Sequence, residues 1–180
     1  PQGSIHPHEA NYMIDGDTSR NNQVMKHMNI DIKPWRKDGK HICLFLNRGI
    51  GGFSTFGKPC YEWAKETVEE IRKYSDRPIL IRSHRHSGET QQLKEDKKNL
   101  DFILSNYKDI THTRLGETSI YDDLKNAWAC VVYTSTSGAV AMLEGIPMFS
   151  THEACFSHQW SAGKLSEIEE PCLNNRENFI

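Results

Sequence analysis

The chain reads as an α/β protein: a Rossmann-like, three-layer domain with a mostly parallel sheet over residues 39–180. Three observations predict this class. The strand candidates are short continuous apolar runs, such as HICLFL at 41–46 and CVVY at 130–133. Strands covered on both faces read this way, whereas half-exposed strands alternate. The segments between them carry apolar residues at helical spacing. Polar turns rich in Gly, Ser or Thr separate strand from helix.

Residues 1–38 are polar, with Pro, Gly, Asn and Asp scattered through them. They read as a lead-in, a linker or the edge of another domain, with one helical turn at Asn22–His27. Pro34–Gly39 closes this region in a turn. His41–Leu46 is the first strand. A Gly-rich loop, Asn47–Ser54, follows it. Lys58-Pro59 opens a helix to about Tyr74, with proline in its first turn. Cys60, Trp63, Ala64, Thr67, Val68, Ile71 and Tyr74 form its apolar face. Asp76-Arg77-Pro78 ends it, and Ile79–Arg82 is the second strand.

The next helix spans about Gln91–Tyr107, with Leu93, Leu100, Ile103, Leu104 and Tyr107 on one face and a charged middle. Thr111–Leu115 is a third strand. Ser119 and Asp122 form a capping-box variant that opens a helix to about Trp128. Cys130–Tyr133 is the fourth strand. The hydroxyl-rich turn Thr134–Gly138 leads into a helix over Ala139–Glu144, stopped by Gly145 with Pro147 beyond. Ile146–Phe149 begins the fifth strand. Residues 153–180 read as loops with one short helix.

Composition narrows the function classes. The 180 residues are 37% hydrophobic and 26% charged, with a formal net charge of −2. That balance suits a soluble globular chain and offers no global case for nucleic-acid binding. No run approaches the roughly 20 apolar residues that cross a bilayer, and PQGSIHPHEANYMIDGD has no signal-like apolar region. The five cysteines are scattered without a C-x-x-C pair, so a reduced, cytoplasmic setting is expected over a disulfide scaffold or zinc site.

In such sheets ligands sit at the carboxyl ends of the strands. That rule gathers the loops after Leu46, Arg82, Leu115, Tyr133 and Phe149. Asn47–Ser54 lacks both the Gly-Lys-Ser/Thr ending of a P-loop and the dinucleotide spacing. Its glycines would let backbone approach a phosphate that Arg48 neutralises; the plain alternative is a strand-to-helix connection. Arg82-Ser83-His84-Arg85-His86 suits a phosphate or carboxylate; the alternative is a solvated basic loop. His84 and His86 lack partners in the sequence for a metal set, and no metal is expected. Thr134–Gly138 brings hydroxyls and backbone N–H groups to a helix start, where an anion is welcome; the alternative is simple N-capping by Ser135 or Ser137. The G-x-S-x-G elbow of a serine hydrolase is absent. His152, Glu153 and His158 follow the last strand, within reach of a sugar or phosphate or merely on a surface loop. The four tryptophans, Trp35, Trp63, Trp128 and Trp160, read as packing residues.

The run Val131–Phe149, VVYTSTSGAVAMLEGIPMF, resembles the nucleotide-sugar-binding half of GT-B glycosyltransferases: apolar strand, Ser/Thr-Gly turn, small-residue helix, Gly-x-Pro, strand. Arg82-Ser83-His84 is similar to the Arg-x-His of capsule-type Kdo transferases and of glycosyltransferases common in tailed bacteriophages. The likeness covers about Lys40–Ile180 and implies half of a GT-B fold. It implies Gly51 and Gly52 near a donor pyrophosphate, and Arg82 and His84 at the phosphate or transferred sugar. Arg114 and Leu115 would lie near the base, and Ser135, Thr136, Ser137 and Gly138 would bind phosphate. Two departures matter. Val140 stands where many such enzymes carry the ribose-binding Glu, leaving Glu144, one turn on, as an imperfect replacement. Residues 1–38 are also too few for a first GT-B domain, so the chain is expected to be a donor-binding half, a truncated piece or a minimal relative.

The resulting expectation is transfer of a sugar from a nucleotide-sugar co-substrate, with UDP-linked donors considered first, and no further cofactor. His84 and His152 are the candidate bases. The acceptor is open, a glycan or a modified DNA base. The competing readings are a pyruvyl transferase or sugar-nucleotide epimerase on the same fold, and a non-catalytic binding or assembly domain.

Overall fold

A computed structural model describes residues 23, 26–27, 30–47, 59–84 and 91–173. Five strands, β1 (His41–Phe45), β2 (Ile79–Ser83), β3 (Ile110–Arg114), β4 (Ala127–Val132) and β5 (Met148–Ser150), form one open sheet in the order β3-β2-β1-β4-β5. Every pairing is parallel. The expected mostly parallel sheet is therefore wholly parallel, and the domain is a Rossmann-like three-layer α/β fold. Among the described residues from β1 onward the α-helices are α1 (Cys60–Ile71), α2 (Gln91–Asn106), α3 (Ile120–Leu124) and α4 (Ser137–Leu143).

Alternation along the strands divides the core in two. Ile42, Leu44, Ile79, Ile81, Ala129 and Val131 face α1 and α2, where they meet Trp63, Val68, Ile71 and Ile103. Cys43, Phe45, Cys130, Val132 and Met148 face α3 and α4 and meet Leu124, Ala141 and Met142. Residues of β1, β2, β4 and β5 are thus largely covered whichever way they point, which is why those runs are mostly apolar; the edge strand β3 is half-exposed, with Thr111 and Arg114 at the surface. The four tryptophans join these layers as packing residues, Trp63 and Trp128 on the first face and Trp35 and Trp160 on the second.

Helix ends follow the local chemistry. The Ser119–Asp122 capping box is present: Ser119 Oγ accepts from Tyr121 N, and Asp122 Oδ2 accepts from Ser119 N, both at 3.3 Å. However, α3 stops at Leu124, and β4 begins at Ala127, earlier than the apolar run suggests. Arg36 reaches in from the lead-in and donates to the carbonyls of Leu124, Lys125 and Ala127, closing α3 off. Pro59 serves as the N-cap of α1 rather than its first helical residue. At the end of α4, Gly145 takes a φ of +78°. Ile146 N donates to Ala141 O at 2.9 Å and Gly145 N to Met142 O at 3.1 Å, a Schellman closure.

The lead-in is tied to the domain. Lys33 N donates to Leu143 O and Arg36 N to Gly145 O, at 2.9 and 2.7 Å. Beyond β5 the chain forms two 3₁₀ turns, His158–Trp160 and Leu165–Glu167, rather than one short helix. The second is stapled to the sheet's amino edge. Arg77 Nε donates to both carboxylate oxygens of Glu169 at 3.0 and 2.9 Å, and its guanidinium stacks on Trp128. Of the helical turn expected at Asn22–His27, residues 23, 26 and 27 are described, and all three are helical. No described helix is long and apolar enough to cross a membrane.

Candidate functional site

The sheet order reverses direction at β1: β2 and β3 lie to one side of it, β4 and β5 to the other. α1, which follows β1, and α4, which follows β4, pack on opposite faces of the sheet, and the carboxyl ends between them are the usual ligand position in open α/β sheets. A cavity of about 290 Å³ lies at these carboxyl ends. Its walls are Phe45 and Leu46 from β1, Arg82, Ser83 and His84 from β2, Leu115 and Ile120 beyond β3, and Ser135, Thr136 and Ser137 beyond β4. Two segments singled out in the sequence, 82–84 and 135–137, thus share one cavity although they lie about 50 residues apart. Asn47 ties the crevice together, since its amide donates to Thr134 Oγ1 and accepts from Thr134 N.

The chemistry of individual residues differs from the sequence expectation at several points. Arg82 lines the cavity, but its guanidinium is engaged. Nη1 donates to Asp123 Oδ2 and, at 2.9 Å, to Thr118 Oγ1; Nη2 donates to the Thr118 carbonyl at 2.8 Å. The Arg82 and Asp123 side chains are 5% and 3% exposed. Thr113 Oγ1 also donates to Asp123 Oδ2, at 3.0 Å. Arg82 therefore holds a wall in place, and its charge is matched inside the protein, not offered to a phosphate.

The hydroxyl turn is partly self-satisfied too. Ser135 Oγ accepts from Ser137 N at 3.3 Å. The Ser135 and Thr136 carbonyls accept from Gly138 and Ala139 N at 3.2 and 3.0 Å. The N–H groups of residues 137–139 are thus used within the turn; the N-cap is Thr136, which makes no side-chain cap bond, rather than Ser135 or Ser137. The three hydroxyl residues still face the cavity. Gly138 has a packing reason to be glycine: a Cβ there would lie 3.1 Å from Met148 Cγ and 3.3 Å from Val132 Cγ2.

Glu144 is not in this cavity. It caps the carboxyl end of α4, one helix length from Ser137, where it pairs with Lys33. A helix running antiparallel to the strands carries its two ends to opposite edges of the sheet, so no ribose at the cavity meets Glu144. Arg114 pairs with Glu117 at 3.3 Å on the surface, while its neighbour Leu115 reaches the cavity. His152 does not line the cavity either. Its ring stacks on Tyr133 at 4.6 Å, and its Nδ1 accepts from Ala154 N at 3.0 Å. His158 lines a neighbouring cavity of about 490 Å³ beside β5, with Nδ1 3.2 Å from Ser150 Oγ. Arg48, Gly51 and Gly52 lie outside the described residues.

Sequence reasoning missed Asp123 and His112. Ser83 Oγ lies 2.9 Å from His112 Nε2 on the adjacent strand. Burial, with Arg114 nearby, holds His112 below the usual histidine pKa, against an opposing pull from Glu117. Only strand pairing joins these residues, so no local motif marks them. Among the described residues no group of three or more His, Cys, Asp or Glu is placed to hold a metal ion. No disulfide joins the five cysteines, all of them described; Cys43 and Cys130 are buried, and burial pushes both thiols up.

No family model matches this chain. No curated protein matches it. Among solved structures it is similar to KpsC of Thermosulfurimonas dismutans, a beta Kdo 2,4 transferase. The TM-score is 0.45 at 10% identity, over 92% of this chain and 55% of that one. The chain thus spans little more than half the length of that protein. At this level the likeness carries no argument of its own, and the Rossmann-like assignment rests on the sheet order.

Proposed function

We propose that the protein is a glycosyltransferase-type transferase that takes a nucleotide-sugar donor at the carboxyl ends of β1 and β4. One observation carries the reading: the cavity at the strand-order reversal that joins Ser83 and His84 to the hydroxyls of Ser135–Ser137. Donor phosphates would lie against Ser135, Thr136 and Ser137, with His84 facing the charge that grows on the departing nucleotide. Gly138 lets α4 sit close to the sheet behind them. Leu115 and Ile120 offer an apolar wall to a base or sugar. Arg82 and Asp123 keep that wall in position. Arg48, Gly51 and Gly52 remain candidates for the pyrophosphate.

The sequence likeness of Val131–Phe149 and Arg82–His84 to GT-B donor-binding halves supports the same reading. The acceptor would be a glycan or a modified DNA base. The non-catalytic binding domain is a second reading with an observation in its favour: the Arg82 charge and the first N–H groups of α4 are satisfied internally.

Thermal-shift titration with UDP, CMP and their sugar conjugates, followed by release of free nucleotide, separates the two. Stabilisation with turnover supports the transferase. Stabilisation without turnover over a range of acceptors supports the binding domain. No stabilisation by any nucleotide overturns the donor site.

A further inference from the structure

We propose that Ser83 and His112 form a proton relay at this cavity, in which Ser83 Oγ meets the acceptor hydroxyl and His112 takes the proton from behind it. The inference rests on the transferase reading. Ser83 ends β2 and lines the cavity while being only 3% exposed. β2 and β3 pair in parallel with Ile81 opposite His112 and Ser83 opposite Arg114. Ser83 and His112 are thus two positions apart in register and on the same face of the sheet. That diagonal brings Ser83 Oγ to 2.9 Å from His112 Nε2. The Ser83 backbone carbonyl is already used by Leu115 N at 3.0 Å, so the imidazole contact belongs to the hydroxyl alone.

The environment favours the neutral ring such a relay needs. Burial and the Arg114 charge oppose protonation of His112, and Glu117 only partly offsets them. A neutral imidazole with its proton on Nδ1 leaves Nε2 to accept from the Ser83 hydroxyl. In the transfer step the acceptor O–H gives its proton to Ser83 Oγ as the Ser83 proton moves to Nε2. The acceptor oxygen bonds to the anomeric carbon. The bond from that carbon to the donor phosphate oxygen breaks, and its electron pair leaves with the nucleotide. The imidazolium then loses its proton to water.

Three measurements on the full chain test this. Thermal shift with UDP- and CMP-sugars reads donor binding separately from the relay. Nucleotide release from a donor that binds reads the relay. His112→Gln and Ser83→Ala should each lower kcat about 10²-fold with little change in donor KM. His112→Gln should also remove the fall in rate that acidification causes as the His112 ring takes up a proton, and Ser83→Thr should recover most of the rate. Imidazole ¹⁵N NMR of the wild type should show the Nδ1–H tautomer, a readout that needs no variant to fold. An Nε2–H tautomer, or wild-type turnover in His112→Gln with donor bound, overturns the relay alone. A wild type that binds no nucleotide sugar overturns the transferase reading and the relay with it.

Discussion

Arg82 donates to Asp123 across 41 residues of sequence, and both side chains are nearly sealed from solvent. The pair fixes β2 to α3 on the wall of the candidate donor cavity, and Thr113 and Thr118 complete its hydrogen bonds. A cation expected to face a phosphate is instead part of the frame that shapes the phosphate's surroundings.

Breaking that frame from one side is expected to be costly. Arg82→Ala leaves a buried carboxylate without its counter-charge, a loss of about 3–5 kcal/mol. Asp123→Ala should cost a similar amount, and the double variant Arg82→Met, Asp123→Leu should recover part of it. Urea unfolding checks this. A loss under about 1 kcal/mol in the single variants contradicts the buried-pair account.

The lead-in should depend on Gly145. Left-handed backbone costs a non-glycine residue about 1–2 kcal/mol, and a Cβ there would lie 2.2 Å from the Pro34 carbonyl oxygen. Gly145→Ala should therefore lower the denaturation midpoint and raise amide exchange at Lys33 and Arg36. Gly138→Ala should cost less, because its nearest neighbour is the flexible Met148 side chain. Equal midpoints for Gly145→Ala and wild type would refute the close approach.

Stability should fall on mild acidification in part through His112. Its pKa is lowered in the folded state, so the unfolded chain takes up the proton first. The contribution is present above the ordinary value of about 6.5 and is lost as pH falls from there through the folded value. His112→Gln should flatten the stability curve between about pH 7 and 5. An unchanged slope in that variant removes His112 from the account.

Thiol accessibility follows from the layers. Cys43, Cys60, Cys130 and Cys155 are buried and Cys172 is exposed. A disulfide reagent such as Ellman's should react quickly with Cys172, and with the other four only as the chain opens. Rapid modification of a second thiol in the native protein would contradict the packing of the two cores.

The sequence carried the fold well because a parallel sheet buried on both faces writes continuous apolar runs, and HICLF and CVV are such runs. The Ser119–Asp122 box and the Gly145 stop were equally readable, since each is a local hydrogen-bond device. The site was legible only to the level of loops. That 82–84 and 135–137 meet follows from strand order, but what Arg82 touches depends on Asp123, a charged residue within a five-residue helix. Ser83 and His112 meet only through strand register, which no local pattern specifies. Glu144 misled because sequence distance from Ser137 is short, whereas α4 carries it about 10 Å along its axis, to its other end.

The most direct test of the account is the position of a bound nucleotide, read from electron density after soaking crystals with UDP, CMP and their sugar conjugates. Phosphate oxygens should lie within hydrogen-bonding distance of the Ser135–Ser137 hydroxyls, facing His84, at the carboxyl ends of β1 and β4. A nucleotide seated elsewhere, such as the cavity beside β5, or no bound nucleotide at saturating concentration, would contradict it.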